Sequence, residues 1–234
     1  MSTKKIVALA VSRKPPSGRC VAGKVVEGAE AGRWIRPVSE RAGREVSEEE
    51  RQYENGKSAQ VLDVITIVFK KHEPIAHQNE NFVLDDRYYW VKTNPCSWQQ
   101  VVSLCDDYDP DFWTQGESTS NGLNDKLSES LAISRKSSLK LIAVPELDLA
   151  VQKEQGFQGA PSRIRLRGTF EYFGKNYTLS VTDPRILDEY LGKGVGDYKI
   201  NNVVMCVSLA EVWNGFAFRV IASVITANSC GESP

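Results

Sequence analysis

Short apolar runs rich in β-branched residues, separated by proline and glycine, dominate the first half of the chain. These runs cover residues 4–12, 19–27, 31–39, 61–71 and 82–92. Runs of this length that are bounded by turn residues are typical of strands. One helix signal interrupts them, because Ser47 and Glu50 have the spacing of a capping box and Gly56 is a natural stop. The first half therefore predicts three strands, a helix and two strands.

The second half of the chain shows the same order of signals. Its strand-like runs cover residues 138–150, 163–183, 200–208 and 215–225. The second of these runs alternates like a hairpin that turns at "FGKN". Asp183 before Pro184 predicts the start of a helix, and apolar residues with helical spacing follow. The second half also predicts three strands, a helix and two strands.

Five strands with a helix between the third and the fourth is the order of the OB-fold, a five-stranded and partly open barrel. Because the order occurs twice, the sequence predicts a mainly β protein, a β-barrel fold with α insertions. Two tandem OB-like five-stranded barrels are then joined by a helical acidic insert. We expect the first barrel over residues 1–94, the insert over 95–136 and the second barrel over 137–234.

Helical and acidic signals distinguish the insert from the barrels. Ser97 and Gln100 form a second capping box, and a short helix is predicted over residues 125–132. Residues 72–132 carry three basic and eleven acidic groups, a local charge of −8, whereas residues 1–45 carry ten basic and four acidic groups, a local charge of +6. A chain polarised in this way can present a basic surface to nucleic acid although its net charge is only −1.

The composition and the absence of certain motifs argue against several classes of protein. No apolar run reaches the roughly 18 residues that span a membrane, and no signal-peptide core precedes the first charges, so we expect a cytoplasmic protein without a membrane partner. Five scattered cysteines without a CxxC pair argue against a disulfide framework or a zinc knuckle. Phosphate-loop and dinucleotide-binding motifs are absent from the sequence, so we expect no cofactor. The two histidines lack cysteine or carboxylate partners at metal spacing, so we expect no metal. The oligomeric state is open.

Basic residues and a tryptophan coincide on the predicted ligand surface of the first barrel. In an OB-fold this surface is formed by strands two and three and by the loops that join strands one to two and four to five. The residues gathered there are Arg19, Lys24, Arg33, Trp34 and Arg36. Trp34 is either a platform on which a base stacks, beside arginines that neutralise phosphates, or a barrel residue beside solvated charges.

The loop "HQNEN" places five polar side chains directly before a predicted strand. His77, Asn79, Glu80 and Asn81 are candidate ligand contacts, because they can hydrogen-bond a base or a sugar; alternatively they satisfy the local backbone. His77 and Glu80 also have the chemistry of an acid–base pair. No second motif supports a catalytic site, and we expect no catalytic residue.

Three arginines alternate with apolar residues in the second barrel. Arg163, Arg165 and Arg167 lie two residues apart, so they share one face of a strand at a spacing of about 6–7 Å. This spacing approximates that of the phosphates along an extended single strand of nucleic acid. A solvated outer face of the barrel has the same pattern, and both interpretations are open.

Several uncommon motifs occur in one order across nearly the whole chain. They are "GRCVAGK", "WIRPVS", "LDV", "HQNEN", "VTDP" and "CVSLAE" followed by "RVIASVI". In these motifs the sequence resembles the bacterial dual OB-containing domain family. The resemblance implies two tandem OB barrels, an accessory role in prokaryotic conflict or phage-defence systems, and nucleic acid or a nucleotide as ligand. It transfers no catalytic residue, but it draws attention to Cys20 and Asp183 at further motif positions.

Three functions are compatible with these observations. The leading hypothesis is a non-enzymatic module that binds single-stranded nucleic acid or a nucleotide on the first barrel. The second is an interaction subunit that docks on a partner effector enzyme through the acidic insert. The third is a small-nucleotide enzyme or sensor centred on the "HQNEN" loop.

Overall fold

The first five strands form a closed barrel in the computed structural model, which describes residues 1–14, 18–155 and 161–232. The strands are β1 (Ser2–Lys14), β2 (Gly18–Val25), β3 (Trp34–Val38), β4 (Asp63–His72) and β5 (Asn81–Leu84). They pair in the order β1-β2-β3-β5-β4, and β4 pairs with β1 to close the ring. The pair β3 and β5 is parallel. This is the topology of an OB barrel.

Short elements connect this barrel to the second one. They are β6 (Val91–Pro95), α1 (Trp98–Ser103), β7 (Lys126–Ser128) and α2 (Glu129–Ile133). The predicted capping box begins α1, since the side chains of Ser97 and Gln100 each accept a hydrogen bond from the backbone N–H of the other. In the described part of the chain, no helix combines the length and the hydropathy that crossing a membrane requires.

The second barrel repeats the topology of the first. Its elements are β8 (Leu139–Glu154), β9 (Arg163–Tyr172), β10 (Lys175–Val181), α3 (Pro184–Lys193), β11 (Gly196–Leu209) and β12 (Phe216–Ile225). The strands pair in the order β10-β9-β8-β11-β12, and a parallel pairing of β10 with β12 joins the two ends. The turn at Phe173 and Gly174, both with positive φ, forms the predicted β9–β10 hairpin. The mainly β, dual-barrel fold class is therefore confirmed.

The helix predicted after Ser47 is reduced to one 3₁₀ turn, Glu49–Arg51. Its capping box forms, because the side chains of Ser47 and Glu50 accept from each other's backbone N–H at 3.2 and 2.8 Å. The chain then leaves the helical path, since Tyr53 is buried against the barrel with its hydroxyl donating to Asp63 at 2.6 Å. A tertiary contact thus overrides the local helix signal.

Two other predicted elements are divided in the structure. The strand predicted over residues 82–92 is interrupted where Asp85 accepts hydrogen bonds from the backbone N–H and the guanidinium of Arg87, at 3.3 and 2.8 Å. Such a contact between an aspartate and the backbone two residues later forms a turn. The helix predicted over 125–132 begins only at Glu129, because the preceding residues pair with β12 as β7.

The two barrels share one apolar interface, which we call the seam. The core of the first barrel continues into side chains from the outer faces of β8, β11 and β12. These are Leu139, Leu141, Val204, Cys206, Ala222 and Ile225. β1 lies in the seam and is buried along its length from Ile6 to Val11, so both of its faces are covered. A continuous apolar interface of this kind holds two domains as one body.

The insert is fixed to the second barrel by aromatic rings and by a buried arginine. Trp113 is fully buried in the second core, 4.9 Å from the ring of Tyr177. Arg219 on β12 donates to the carbonyls of Phe112, Thr114 and Asn124, each at 2.8 Å. Burial lowers the pKa of Arg219 to about 10, because a charged group is costly away from water.

The seam predicts that the barrels unfold together. We expect Leu141→Ala to lower the free energy of unfolding by about 2–5 kcal/mol, because it removes a fully buried side chain from the shared core. Urea unfolding followed by tryptophan fluorescence and by circular dichroism should show one transition at a lower midpoint. Leu131→Ala, at an exposed position, is the control and should change stability by less than about 0.5 kcal/mol. Two separate transitions, of which only one moves, would contradict a shared core.

Candidate functional site

Residues from three of the motifs converge in the seam. Arg36 lies on β3 and Ser208 on β11, His77 and Glu80 come from the loop before β5, and Ser138 directly precedes β8. We call these five residues the seam cluster. Except for the half-buried Ser208, all of them are at most 7% exposed. The cluster therefore joins the first barrel to the second, in surroundings where polar groups need partners.

A charged pair forms the centre of the seam cluster. The Arg36 guanidinium lies 3.7 Å from the Glu80 carboxylate and donates to the hydroxyls of Ser138 and Ser208 at 2.9 and 3.3 Å. Glu80 in turn accepts from the hydroxyl of Ser138 and from its backbone N–H, the latter at 3.2 Å. A buried pair costs desolvation but fixes geometry, and removal of one partner leaves an uncompensated charge. These contacts connect the first barrel to the start of β8 and to the end of β11.

His77 adds a contact between the first barrel and the loop that joins β11 to β12. Its Nε2–H donates to the carbonyl of Ala210 at 2.9 Å, while Nδ1 is buried with no hydrogen-bond partner among the described residues. Burial lowers the pKa of His77, and the positive charge of Arg36 acts in the same direction. The ring is therefore held neutral. It shares no hydrogen bond with Glu80, so the acid–base pair that these two side chains could form is not made in this arrangement.

The asparagines of the same loop make internal contacts. The Asn79 amide donates to the carbonyl of Lys136 at 2.9 Å, at the end of the insert. The Asn81 amide donates to the side chain of Gln78 at 3.2 Å, and its Oδ1 is buried without a partner in the part of the chain that is described. Asn79 is exposed, whereas Asn81 and most of the seam cluster are buried, so a ligand would reach those buried residues only after the barrels separate.

Trp34 and Lys24 face the acidic insert. The indole Nε1–H of Trp34 donates to Asp106 at 3.0 Å, and the Lys24 ammonium pairs with the same carboxylate at 2.5 Å. Asp106 also accepts from the backbone N–H of Leu141 at 2.7 Å. Trp34 is half-buried and Lys24 is buried. The aspartate thus lies where the sequence placed an anionic ligand, and it links β2 and β3 to β8.

The other two predicted first-barrel contacts lie nearer the surface. Arg33 is exposed and donates to Glu30 at 2.5 Å. Arg19 is half-buried and donates to the carbonyl of its neighbour Gly18 at 3.4 Å. Arg19 forms no ion pair with any residue that the structure describes. The basic residues expected on one surface of the first barrel therefore have different roles. Lys24 and Arg36 make internal contacts, Arg33 forms a surface ion pair, and Arg19 has no ion pair among the described residues.

The three arginines of β9 share the outer face of the second barrel, as their alternation predicts. Arg167 is neutralised by Glu154 at 2.7 Å and by Asp125 at 3.4 Å. Arg163 and Arg165 are exposed, and neither forms an ion pair within the described ranges. This strand face therefore carries two exposed guanidinium groups that form no ion pair with a described residue, although Glu154 lies opposite Arg163 in the strand register.

The two further motif residues are Asp183, which caps a helix, and Cys20, whose thiol has a raised pKa. Asp183 caps α3 as predicted, accepting from the backbone N–H of Arg185 at 3.0 Å, and it also accepts from that of Val224 at 3.1 Å. Burial raises the pKa of the Cys20 thiol, which keeps it protonated and weakly nucleophilic. Within the described residues, no group of three or more His, Cys, Asp or Glu side chains can hold a metal ion.

The sequence patterns did not identify three residues of these sites. Ser138 and Ser208 stand beside apolar strand runs, and serines in such positions are commonplace. Asp106 lies in an acidic stretch where no neighbour marks it as the partner of Trp34. The motif "CVSLAE" contains Ser208 and was the one available signal, although it did not indicate a partner.

The buried pair predicts a large loss of stability when its cation is removed. We expect Arg36→Met to lower the free energy of unfolding by about 3–5 kcal/mol, because Glu80 stays buried without a countercharge. Adding Glu80→Gln should recover part of this loss, since a neutral amide can still accept from Ser138. Urea unfolding of the single and double variants measures both effects. A decrease in the free energy of unfolding of less than about 1 kcal/mol is typical of a solvated ion pair and would contradict a stabilising role for the buried pair.

The lowered pKa of His77 predicts a stability that depends on pH. The unfolded chain binds a proton near the usual pKa of about 6.5, and the folded chain binds it only at lower pH. This stability is therefore complete above about pH 6.5 and is lost as the pH falls from there towards the folded pKa.

Midpoints of urea unfolding between about pH 5 and 8 test this dependence. His77→Gln keeps an N–H for Ala210 but cannot titrate, so its stability should change less over this range. His72→Gln, at the other and exposed histidine, is the control and should follow the parent protein. Equal pH profiles for the parent and His77→Gln would refute the assignment.

Comparison with known families agrees with this architecture. A family model described as the dual OB-containing domain matches residues 4–224, which include both barrels. No curated protein and no solved structure matches the chain. The match covers nearly the whole sequence, and the fold shows two barrels of OB topology in tandem. The chain therefore belongs to the dual OB-containing domain family.

Proposed function

We propose that this protein binds single-stranded nucleic acid along the outer face of β9 in the second barrel. The observation that carries the proposal is the exposure of Arg163 and Arg165, two residues apart on one face, without ion pairs in the described chain. A strand rise places them about 6–7 Å apart, a distance suited to consecutive phosphates of an extended strand. In OB-folds this second strand forms part of the oligonucleotide surface.

Polar groups on the neighbouring strands support this face. Arg167 lies opposite Ser180, and Thr169 lies opposite Thr178 with their hydroxyl oxygens 2.9 Å apart. Side chains of directly opposed residues point to the same face of a sheet. Hydroxyls beside a row of guanidinium groups can hydrogen-bond phosphate or sugar. The face thus offers charge for affinity and hydroxyls for positioning, without a demand for a particular base sequence.

The first barrel offers less free positive charge for this role. Lys24 and Arg36 are buried in contacts with Asp106 and Glu80, and the indole of Trp34 donates to Asp106. Binding at those residues would have to replace contacts that hold the insert and the second barrel. The second barrel is therefore the better candidate for the nucleic-acid surface.

A role as a docking subunit is the second candidate function. Tyr88, Tyr89 and Val91 are 47–60% exposed beside the edge strand β6, and exposed aromatic residues are enriched in protein interfaces. A co-purifying protein that Tyr89→Ser loses, and that the β9 variants retain, would favour this function. We retain the effector partner, the cytoplasmic location and the role in conflict or phage defence as proposals, of which the last rests on the family resemblance.

The nucleic-acid proposal is tested by neutralising the two free arginines. We expect the double variant Arg163→Gln, Arg165→Gln to bind a labelled single-stranded oligonucleotide at least tenfold more weakly at low salt, as roughly two charged contacts are lost. Fluorescence anisotropy at increasing salt should show a slope reduced by about 1.4, because each phosphate contact on a single strand contributes about 0.7.

The matched control is Lys199→Gln on β11, an exposed cation of the same barrel. Lys199 already pairs with Glu146 at 2.6 Å and with Asp148 at 3.4 Å, so its loss should leave affinity and salt slope unchanged. The proposal fails if the parent protein binds neither DNA nor RNA oligonucleotides at low salt. It fails equally if the double variant binds with the parent's affinity and slope.

A further inference from the structure

Two arginines stand directly opposite each other at the end of the β1–β2 hairpin. Arg13 and Arg19 are paired in the antiparallel register of the first barrel, so their side chains share one face of the sheet. Like charges that are directly opposite destabilise a pair of strands. Arg13 is 49% exposed and bonds Asp188 of α3 at 2.7 Å, whereas Arg19 is half-buried and reaches only the carbonyl of Gly18.

A third arginine lies beside this pair. Arg51 is 4% exposed and donates to the carbonyl of Ala59 at 3.1 Å and to the carboxylate of Glu48. Its Nε–H is buried without a hydrogen-bond partner among the described residues. The backbone of Arg19 pairs with that of Val46, close to the 3₁₀ turn that carries Arg51. Arg13, Arg19 and Arg51 form what we call the arginine cluster.

The arginine cluster contains more positive than negative charge. The carboxylates that act on Arg19 are Glu48 and Asp188, and both are engaged by the other two arginines. The pKa of Arg19 is lowered, first by its partial burial and then by repulsion from Arg51 and Arg13. Three guanidinium groups therefore share two carboxylates, of which Asp188 is 71% exposed on its side chain. Arg19 is therefore a half-buried cation that faces Arg13 and has no ion pair among the described residues.

We propose that the arginine cluster is a binding site for a phosphate group that carries two negative charges, such as the terminal phosphate of a nucleotide or pyrophosphate. Guanidinium groups bind phosphate through parallel, charge-assisted hydrogen bonds. A dianion between Arg13 and Arg19 removes the repulsion between these two opposed guanidinium groups. The β1–β2 hairpin is also one of the two ligand loops of an OB barrel.

This site is separate from the face of β9. It belongs to the other barrel, and its residues are absent from the nucleic-acid surface proposed above. Binding here would recognise one charged group, whereas β9 offers a row of contacts. The exposed pair of Arg13 with Asp188 contributes little by itself, so the Arg13 side chain can reorient towards an anion at small cost.

The experiment compares the melting temperature and the calorimetric affinity for inorganic pyrophosphate in the parent protein and in Arg19→Gln, at constant ionic strength. We expect pyrophosphate to stabilise the parent, and Arg19→Gln to bind it about tenfold or more weakly. Without ligand, Arg19→Gln should melt at the parent's temperature or above it, because the repulsion between opposed arginines is gone. Arg33→Gln, on a surface arginine paired with Glu30, is the matched control and should change neither quantity.

The inference is overturned if pyrophosphate does not bind the parent, or if it binds Arg19→Gln equally well. A lower melting temperature of ligand-free Arg19→Gln would also overturn it, because Arg19 would then be stabilising the fold. Arg13→Gln, at an exposed position, is a second affinity variant and should weaken pyrophosphate binding in the same way. The double variant Arg163→Gln, Arg165→Gln should keep pyrophosphate binding, so failure of the oligonucleotide proposal and failure of this one are distinguishable.

Discussion

Burial of β1 on both faces is the constraint on which the rest of this structure depends. One face of the strand lines the first barrel, and the other packs on β12 of the second, where the Ser223 hydroxyl donates to the carbonyl of Leu9. Apolar surface removed from water in this way supplies most of the stabilisation of a fold. It also fixes the position of one barrel relative to the other, and thereby decides which polar side chains are enclosed between them.

The motif residues connect the two barrels because they are buried between them. Arg36 and Glu80 lie where the barrels meet, and a charge there needs a partner with good geometry. The serines of the second barrel and the carbonyl of Ala210 provide that geometry for Arg36, Glu80 and His77. Polar contacts of this kind are directional, so they select one arrangement of the two barrels from among those that bury similar apolar area.

The same reasoning distinguishes the cations that remain available to ligands. Asp106 and Asp125, both from the insert, neutralise Lys24 on the first barrel and Arg167 on the second. The acidic insert thus occupies part of the strand-two surface of each barrel with its own carboxylates. What it leaves uncovered is the end of β9 that carries Arg163 and Arg165, and the opposed pair Arg13 and Arg19 on β1 and β2. Arg163, Arg165 and Arg19 form no ion pair with any residue that the structure describes, whereas Arg13 pairs with Asp188.

The amino-acid sequence by itself determined the strand order, the two repeated barrels, the caps of α1 and α3 and the shared face of the β9 arginines. These features follow from local periodicity and turn chemistry, which act between residues a few positions apart. Only the tertiary structure decided that Trp34 meets Asp106, that His77 meets Ala210 and that the helix after Ser47 ends after one turn. A period of two residues assigns a side chain to a face of a strand, but it does not say what covers that face. The covering elements here come from the insert and the other barrel, so that Arg36 and Ser208 are in contact although they lie 172 residues apart in the chain.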